Sequence, residues 1–370
     1  MKVLHVTEAA SAGVLTSVTT LARMQAADPA FDRPVLAFVP RADSPDAAAI
    51  GALVGDGVEL RQWSPGPRGR IVRLTAGMLR TLHRERFDVI HLHSSRAGLL
   101  GRLVAAPLGA RSRVVYSPHC FSFDRTDIDP LRRALFLRLE RSALRLGRAL
   151  VLVSDSEART ATALLPGSRT ATVHNRVALP QPAGAPAAPT TPGPDARPTV
   201  VHIGRIAPQK RPALFGEVAA RVRAQGEDVR FLWIGDGDRD LLQPPVEVTG
   251  WLDAEGVRAR TAQASLVLFT SAGEGLPMAL LEAQALGVPV VASRVPGVTD
   301  LVHHGRTGLL GDTAEELTRA ALTLLHDEDT RRRLGHDGAD HVRRRFDASR
   351  LAADSLAAYR TLLTEEETER

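Results

Sequence analysis

GEGLPMALLEAQALGVPVVAS, residues 273–293, joins a glycine- and proline-rich loop to an apolar helical pattern and then to a β-branched run. We predict a helix from about Pro277 to Leu286, because proline in a first helical turn sacrifices no hydrogen bond. The apolar runs 266–270 and 288–292 flank this helix and are predicted strands. The order strand, helix, strand is the repeating unit of a parallel sheet covered by helices.

The same alternation of short apolar runs and longer helical patterns extends over the whole chain. The runs lack polar alternation, as expected for parallel strands with both faces covered. In the first half the predicted strands are 3–7, 35–39, 89–93, 114–117 and 150–153, and in the second half they are 200–203, 229–234, 266–270 and 288–292. Helices are predicted at 15–27, 70–86, 212–225 and 349–363. We therefore predict an α/β protein with two doubly wound, Rossmann-like domains.

Length and one change of composition set the domain boundaries. A chain of 370 residues exceeds what one hydrophobic core usually serves. Residues 178–198, ALPQPAGAPAAPTTPGPDARP, contain seven prolines without apolar periodicity and are predicted to be a linker. We place the first domain at 1–180 and the second at 199–348.

Composition excludes several classes of protein. The single cysteine, Cys120, rules out an internal disulfide framework and fits a reducing compartment. An aromatic content of 4% is poor for base stacking, and no nucleic-acid-binding signature occurs, so we expect no nucleic-acid partner. The N-terminus lacks the apolar core of a signal peptide, and no apolar run approaches the ~20 residues of a membrane span. We expect a soluble, cytoplasmic protein.

Two carboxylates and a helix start suggest a binding site in the second domain. The free N–H groups of Met278 and Ala279 would point out of the helix beside its positive dipole end, which favours an anion such as a diphosphate. Glu274, in the loop, and Glu282, lower on the helix, would lie on either side of that anion. Ionised carboxylates are strong acceptors for hydroxyl groups, here of a sugar and a ribose.

Cations are needed to offset the repulsion between these acids and phosphates. HIGRIAPQKRP, residues 202–212, supplies Arg205 and Lys210 in the loop after the domain's first predicted strand. Only two of the 47 basic residues are lysines, Lys2 and Lys210. Lys210 is therefore predicted to occupy a position that requires a compact ammonium rather than a guanidinium.

Several motifs, in order over about 300 residues, resemble the retaining glycosyltransferases of family four. The glutamate pair, with seven residues between its members and preceded by the Gly-Arg…Lys loop, is similar to that family's donor site. The family's N-terminal strand and loop, fourth-strand region, active-site histidine segment and closing signature resemble MKVLHVTEAASAGV, VIHLHSSRAGLLGRL, YSPHCFSF and GVPVVASRVPGVTDLVHHGRTGLL. The resemblance implies the GT-B fold, in which two Rossmann-like domains face each other across a cleft. It also implies that the last helix, about 349–370, packs back on the first domain.

By resemblance, the C-terminal domain binds a nucleotide diphosphate sugar, with UDP-sugar as the first choice and GDP-sugar as the second. The N-terminal domain binds a hydroxyl acceptor, and the sugar is transferred with retention. The nucleotide sugar is a co-substrate, and no cofactor or metal is implied. The implied catalytic residues are His119, Arg205, Lys210 and Glu274. The implied donor-binding residues are Gly13, Gly204, Arg205, Lys210, Gly250, Trp251, Glu274, Gly275, Leu276, Met278, Ala279 and Glu282.

Histidines mark the corresponding region of the first domain. His119 would contact the donor sugar as a neutral or charged hydrogen-bond donor. His91 and His93 alternate at the end of a predicted strand, so we expect at most one of them to face the cleft and favour a structural role for both. Two departures from the family pattern are Cys120, where a small residue commonly follows the histidine, and Arg176, where the family commonly has a glycine of positive φ.

Residues 131–150, LRRALFLRLERSALRLGRAL, have a basic amphipathic pattern. Four arginines (138, 141, 145 and 148) are spaced for one face of a helix. Such a helix either exposes a solvated face over a packed one or lies on an anionic membrane. The membrane alternative suggests peripheral attachment to the inner face and a lipid-linked acceptor. A polysaccharide intermediate and a small natural product are the other candidate acceptors.

Three alternative functions remain. A nucleotide-sugar epimerase of the same fold would release UDP without an acceptor. A non-catalytic nucleotide-sugar binder would not need the complete set Arg205, Lys210, Glu274 and Glu282. A dinucleotide-dependent oxidoreductase would need the Gly-x-Gly-x-x-Gly fingerprint, and the loop after the first strand has too few glycines for it.

Overall fold

The computed structural model describes residues 1–63, 69–179 and 197–368, with side chains as far as residue 363. The chain divides into two compact units. The N-terminal unit comprises Met1–Arg176 and Ala348–Arg370, and the C-terminal unit comprises Val177–Asp347. Of the proline-rich linker predicted at 178–198, all but the two ends lies outside the described residues.

The N-terminal unit alternates strands and helices. Its strands are β1 (Val3–Thr7), β2 (Val35–Phe38), β3 (Glu59–Gln62), β4 (Val89–His93), β5 (Val114–Ser117), β6 (Ala149–Leu152) and β7 (Arg169–Thr172). Its helices are α1 (Ala12–Ala26), α2 (Ala47–Val54), α3 (Arg70–Arg84), α4 (Ser95–Ala105), α5 (Pro130–Ala143), α6 (Asp155–Leu164) and α12 (Leu351–Thr368), the last of which comes from the end of the chain.

All seven strands of this unit form one parallel sheet in the order β3-β2-β1-β4-β5-β6-β7. The order reverses between β1 and β4, whose residues pair from Val3↔Val89 to Thr7↔His93. Loops that leave the carboxyl ends of β1 and β4 therefore diverge, and this is where doubly wound sheets bind ligands. Every residue of both strands is buried.

Helix α12 returns to the N-terminal unit and closes one face of its core. Tyr359 and Leu362 are buried in an apolar cluster with Val3 of β1 and Val115 of β5. Arg176, the last residue of the unit's first segment, donates to the carboxylate of Asp354 in α12 at 2.5 Å. The end of the chain is thus part of the N-terminal core.

The C-terminal unit repeats the architecture. Its strands are β8 (Thr199–Ile203), β9 (Arg230–Ile234), β10 (Val246–Val248), β11 (Leu266–Phe269), β12 (Val290–Ser293) and β13 (Leu309–Gly311). Its helices are α7 (Pro212–Ala224), α8 (Ala254–Ala262), α9 (Met278–Ala285), α10 (Ala314–His326) and α11 (Glu328–Arg345). The parallel sheet has the order β10-β9-β8-β11-β12-β13, so its order reverses between β8 and β11.

The structure confirms the predicted fold class of two parallel-sheet α/β domains. All nine strands predicted from apolar runs are observed, with ends that differ by at most two residues. Four further strands, β3, β7, β10 and β13, were not predicted. Each lies at an edge of its sheet. Three of them contain polar residues, as in Arg169–Thr172, and the fourth, Leu309–Gly311, is apolar but only three residues long.

The helix predicted over 131–150 is shorter than expected. Helix α5 ends at Ala143 and is followed by a 3₁₀ turn at Leu144–Leu146 and by β6, so two of the four arginines assigned to one helical face lie beyond the helix. The prediction failed because a 3₁₀ turn and a strand continue the same apolar and basic pattern. Among the residues that the structure describes, no helix is both long and apolar enough to cross a bilayer.

Candidate active site

The start of α9 lies in the loop after β11, at the reversal of strand order in the C-terminal unit. Pro277 is the N-cap of the helix rather than its first residue, with an extended backbone at φ −72° and ψ 113°. Its carbonyl accepts from the N–H groups of Leu280 and Leu281 at 3.1 and 3.2 Å. Within the described parts of the chain, the N–H groups of Met278 and Ala279 have no protein partner, so two donors remain at the positive end of the helix.

The loop after β8 is tied to the loop after β11 by hydrogen bonds. The Gln209 side chain donates to the Gly273 carbonyl at 2.9 Å, and the Ala272 N–H donates to the Gln209 carbonyl at 2.8 Å. Thr270 Oγ1 donates to the Lys210 carbonyl at 2.8 Å. These bonds fix the backbone of Lys210 against the loop that contains Glu274.

Lys210 and Glu274 form an ion pair, with 2.6 Å between Nζ and Oε1. Both side chains are largely buried, and the ammonium also lies 4.9 Å from the centre of the Phe269 ring. Sequence reasoning gave these residues separate roles, at a phosphate and at a sugar hydroxyl, and did not predict that they pair. In this pair each charge neutralises the other, which removes the cost of holding an isolated charge in a partly buried loop.

Glu282 lies one turn further along α9 and is half-buried. No hydrogen bond or ion pair of its carboxylate occurs among the described residues. Burial raises the pKa of this carboxyl to about 7. A carboxyl group that has a raised pKa and no protein partner is typical of a ligand-binding position.

Three glycines bring the loops after β8 and β9 and the end of β10 together. A Cβ atom on Gly235 would lie 2.2 Å from the Gly204 carbonyl oxygen, so only glycine allows this approach. Gly235 also bridges to Gly250, and Trp233 Nε1 donates to the Gly204 carbonyl at 2.7 Å. Trp251, beside Gly250, is 50% exposed. The predicted donor residues Gly204, Gly250 and Trp251 therefore lie in neighbouring loops of one unit.

The remaining predicted donor residues of this unit occupy the same edge. Gly275, Leu276 and Met278 are buried in the loop and first turn of α9, and Arg205 is half-buried directly after Gly204. Gly297 supports this loop from below, because a Cβ atom there would lie 2.3 Å from the Gly275 carbonyl oxygen. Its φ of +77° is a second reason for glycine. Sequence reasoning did not single out Gly297.

His119 lies after β5 in the N-terminal unit. Its backbone has φ +53°, and that of Cys120 has φ +90°, so two consecutive non-glycine residues adopt a left-handed or strained conformation. The buried carboxylate of Glu157 holds this turn by accepting from the N–H groups of Cys120 and Val153. The positive φ of Cys120 explains why the family commonly has a small residue after the histidine. Glu157 is a positioning residue that no sequence motif revealed.

The imidazole of His119 is neutral. Burial lowers its pKa to about 4, so the charged form considered from the sequence is disfavoured. Nε2 of His119 is 3.0 Å from Nδ1 of His93. His91 and His93 do not alternate, since residues two apart lie on one face of a strand, and their rings are 4.0 Å apart. Both are buried, which agrees with the structural role favoured from the sequence.

Two further positions of the N-terminal unit relate to the family pattern. Gly13, a predicted donor-binding residue, is exposed in the first turn of α1, and the residue before it, Ala12, has φ +49°. Arg176 does not adopt the positive φ of the glycine that the family commonly has there. It is instead buried and paired with Asp354 of α12, an interaction that glycine could not make.

Family models match both halves of the chain. Residues 12–176 match the glycosyl transferase 4-like domain, and residues 197–327 match the glycosyl transferases of group 1. A 2-deoxystreptamine N-acetyl-D-glucosaminyltransferase from Streptomyces fradiae is 30% identical over 72% of this chain and 71% of its own length. The chain belongs to the group 1 glycosyltransferases.

Two other relatives match over shorter regions. An α-D-kanosaminyltransferase from Streptomyces kanamyceticus is 32% identical over 45% of this chain and 46% of its own length. A UDP-Gal:α-D-GlcNAc-diphosphoundecaprenol α-1,3-galactosyltransferase from Escherichia coli is 26% identical over 63% of this chain and 64% of its own length. The glycosyltransferase chain thus spans less than two thirds of either relative.

Solved structures confirm the GT-B fold of this glycosyltransferase. HepE from Anabaena, in complex with UDP and glucose, superposes with a TM-score of 0.77 at 20% identity, over 97% of this chain and all of HepE. Sucrose-phosphate synthase from Thermosynechococcus elongatus superposes with a TM-score of 0.80 at 18% identity, over 99% of this chain and all of the synthase.

Gly297→Ala tests whether the loop of Glu274 rests on Gly297. Alanine at φ +77° costs about 1–2 kcal/mol, and the overlap with the Gly275 and Glu274 carbonyls adds about 1–3 kcal/mol. The matched control is Gly305→Ala, which has φ +76° and open space around its Cβ. Urea denaturation followed by tryptophan fluorescence should show the larger loss for Gly297→Ala. Equal losses would contradict the contact.

Glu282→Gln tests the raised pKa of Glu282. Between pH 4.5 and 7 the unfolded chain releases this proton while the folded protein keeps it, so the wild type loses stability as pH rises. Glutamine carries no such penalty. The stability of Glu282→Gln relative to wild type should therefore increase by about 2 kcal/mol from pH 5 to pH 8. Urea denaturation at both pH values measures this, with the exposed Glu255→Gln as control; a difference independent of pH would refute the shift.

Proposed function

We propose that this chain is a retaining glycosyltransferase that moves a sugar from a nucleotide diphosphate sugar to a hydroxyl acceptor. The observation that carries the proposal is the arrangement at the start of α9. The N–H groups of Met278 and Ala279, which have no partner among the described residues, follow the loop that contains Glu274. Lys210, the partner of Glu274, lies in the adjacent loop after β8. Helix-start donors and a nearby ammonium are what a diphosphate requires, and they lie where doubly wound sheets bind ligands.

The leaving group explains why these charges are needed. Cleavage of the bond between the sugar and the phosphate leaves a nucleoside diphosphate with a new negative charge. Lys210, Arg205 and the helix-start N–H groups would stabilise that charge, and preorganised electrostatic stabilisation is usually the largest contribution to catalysis. We propose that these groups act in place of a divalent metal.

Binding of the donor would change the partner of Lys210. The ammonium can turn from the Glu274 carboxylate to a phosphate oxygen, because Lys has three rotatable donors on a flexible stem. Glu274 is then free to accept a hydrogen bond from a hydroxyl of the sugar. The ion pair between Lys210 and Glu274 would thus keep both groups in position until the donor binds.

The nucleoside is proposed to bind between Trp251 and Glu282. Trp251 offers an exposed indole beside Gly250 for stacking, and Glu282 offers an acceptor for ribose hydroxyls. UDP is proposed as the nucleotide, supported by the UDP-Gal donor named for the E. coli relative and by UDP in the HepE structure. GDP remains the second choice, because Gly204, Gly250 and Trp251 do not distinguish uracil from guanine.

The N-terminal unit is proposed to bind the acceptor and to contact the transferred sugar through His119.

An anionic membrane is proposed as a further partner. Exposed leucines of α5 (Leu131, Leu135 and Leu139) recur every four residues and so form one stripe, and α3 exposes Ile71, Val72 and Leu79. Helices α3, α4 and α5 together contain ten arginines and one acidic residue, Glu140. An apolar stripe among basic side chains is typical of a helix that lies at an anionic interface.

Lys210→Ala tests the proposed function. With UDP-glucose, UDP-galactose and GDP-mannose offered in turn, wild type should bind one donor, and Lys210→Ala should lower kcat by ~10²-fold or more, as for loss of one electrostatic donor. Coupled release of the nucleoside diphosphate measures turnover, and NMR of the product measures its anomeric configuration. The matched control is Lys2→Ala, the other lysine, which pairs with Glu85 at the surface.

Three outcomes would contradict the proposal. Thermal stabilisation by NAD alone would favour an oxidoreductase, since a ligand at a hundredfold excess over Kd stabilises by about 2.7 kcal/mol. UDP release without an acceptor, together with an epimerised sugar, would favour an epimerase. Unchanged turnover in Lys210→Ala would remove Lys210 from the active site.

Co-sedimentation with vesicles tests the membrane contact. The double variant Leu131→Asp/Leu135→Asp should bind phosphatidylglycerol vesicles at least about tenfold more weakly than wild type. The substitutions replace two apolar side chains with negative charges beside basic residues, each of which contributes ~1 kcal/mol to binding at an anionic surface. Leu252→Asp, an exposed leucine of the C-terminal unit, is the control and should bind like wild type. Equal binding by all three proteins would refute the proposed surface.

A further inference from the structure

A continuous chain of buried polar side chains runs through the N-terminal unit and ends at His119. Its centre is Gln25 of α1, which is fully buried. The Gln25 amide nitrogen lies 3.0 Å from Ser355 Oγ and 3.2 Å from the Tyr359 hydroxyl, both on α12. The amide oxygen lies 2.8 Å from Nε2 of His5 on β1.

Two hydroxyl groups determine which way the Gln25 amide points. The Ser355 hydroxyl donates to the Ala352 carbonyl at 2.9 Å, so its oxygen can only accept from Gln25. The Ser117 hydroxyl donates to the Val151 carbonyl, and its oxygen therefore accepts from Nε2 of His91. A flipped amide would break both of these hydroxyl-to-carbonyl bonds.

His91 and Tyr359 complete this branch consistently. With its proton on Nε2, neutral His91 presents a lone pair at Nδ1, 2.8 Å from the Tyr359 hydroxyl. The tyrosine proton is thus donated to His91, and the tyrosine oxygen accepts from the Gln25 amide nitrogen. The amide oxygen of Gln25 is left as the acceptor for His5.

The direction then propagates along three imidazoles. His5 donates from Nε2 to Gln25 and so accepts at Nδ1, 3.0 Å from Nε2 of His93. His93 accordingly donates from Nε2 and accepts at Nδ1, 3.0 Å from Nε2 of His119. His119 must then carry its proton on Nε2. Its Nδ1 is buried and has no hydrogen-bond partner among the described residues.

We propose that Gln25, acting through His5 and His93, holds His119 in the Nε2–H tautomer, so that its Nδ1 accepts rather than donates a hydrogen bond. Gln25, His5 and His93 are positioning residues, and no sequence motif assigns them this role. A neutral imidazole has one donor and one acceptor, and the partner of one nitrogen decides the role of the other. Burial lowers the pKa of His5 to about 4 and that of His93 well below its usual value, which keeps the chain neutral.

The same histidines could be read as a metal site. Ring nitrogens of His5, His91 and His93 lie within 4.8 Å of one another. Each ring nitrogen of the three already has a hydrogen-bond partner at 2.8 to 3.0 Å, however, and a ligating nitrogen would have to give up its own. The hydrogen-bonded chain accounts for all six nitrogens, and a metal site does not.

Long-range ¹H–¹⁵N correlation spectra of the ¹⁵N-histidine-labelled protein test the proposal without any substrate. At pH 7, His5, His91, His93 and His119 should all show the Nε2–H pattern. His202 provides an internal control of the opposite tautomer, because its Nδ1 donates to the Leu268 carbonyl at 3.1 Å. An Nδ1–H or doubly protonated His119 would overturn the proposal, as would a stoichiometric metal ion whose removal by a chelator shifts these signals.

A pair of variants at His5 isolates the role of the chain. His5→Asn keeps an acceptor oxygen near the position of Nδ1 and should leave His93 and His119 in the Nε2–H form. His5→Leu has the same shape without the acceptor, so His93 can reverse and donate from Nδ1, which moves the proton of His119 to Nδ1. We expect kcat at least about tenfold lower in His5→Leu than in His5→Asn, since misplaced protons at catalytic groups cost 10²–10⁴-fold in the strongest cases.

The kinetic comparison rests on the proposed function, whereas the tautomer spectra do not. If the protein transfers no sugar but the spectra show the expected tautomers, the proposed function is wrong and the proposed role of the hydrogen-bonded chain is confirmed. If transfer occurs and the tautomer of His119 is the same in both His5 variants, the proposed role of the hydrogen-bonded chain is wrong and the proposed function is unaffected. Thermal denaturation of both variants identifies misfolding, in which case the wild-type spectrum alone decides.

Discussion

Hydrogen bonding between parallel strands constrains this protein more than any other interaction. In each unit the sheet order reverses once, between β1 and β4 and between β8 and β11. Because all carboxyl ends of parallel strands point the same way, the loops after the reversing strands must diverge and leave space for a ligand. The loops that contain Arg205, Lys210 and Glu274 leave β8 and β11 at that point, and His5, His91 and His93 lie on β1 and β4. The charged candidate groups of the C-terminal unit therefore lie at the reversal, whereas His119 follows β5, the next strand of its sheet.

The two units use the reversal differently. The C-terminal unit concentrates charge: an ammonium paired with a carboxylate, a second carboxylate of raised pKa, and unpartnered N–H groups at a helix start. The N-terminal unit concentrates neutral polar groups, because its histidines are buried deeply enough to stay unprotonated. Charged groups at one sheet edge are suited to binding a diphosphate. A chain of neutral, hydrogen-bonded side chains is suited to holding a single imidazole in one orientation.

Helix α12 links the end of the chain to this chemistry. It supplies Ser355 and Tyr359, which hold the Gln25 amide, and Asp354, which pairs with buried Arg176. The helix is therefore more than a cover for apolar strands. Its polar side chains complete a network that begins on α1, more than 300 residues earlier in sequence.

The sequence by itself determined the fold class, the nine inner strands and the family. Buried strands and glycine-containing loops produce patterns within short, continuous segments, so these features can be recognised from sequence. It also predicted that Arg205, Lys210, Glu274 and Glu282 share one site, and the structure brings Lys210 and Glu274 together. It did not predict the edge strands, which are too polar or too short to give an apolar run, or the end of α5, where the apolar pattern continues without the helix. Only the tertiary structure decided that Lys210 pairs with Glu274, that Gly297 supports the loop, and that Gln25 orients His119. Those contacts join side chains distant in sequence, and no local periodicity records which of them meet.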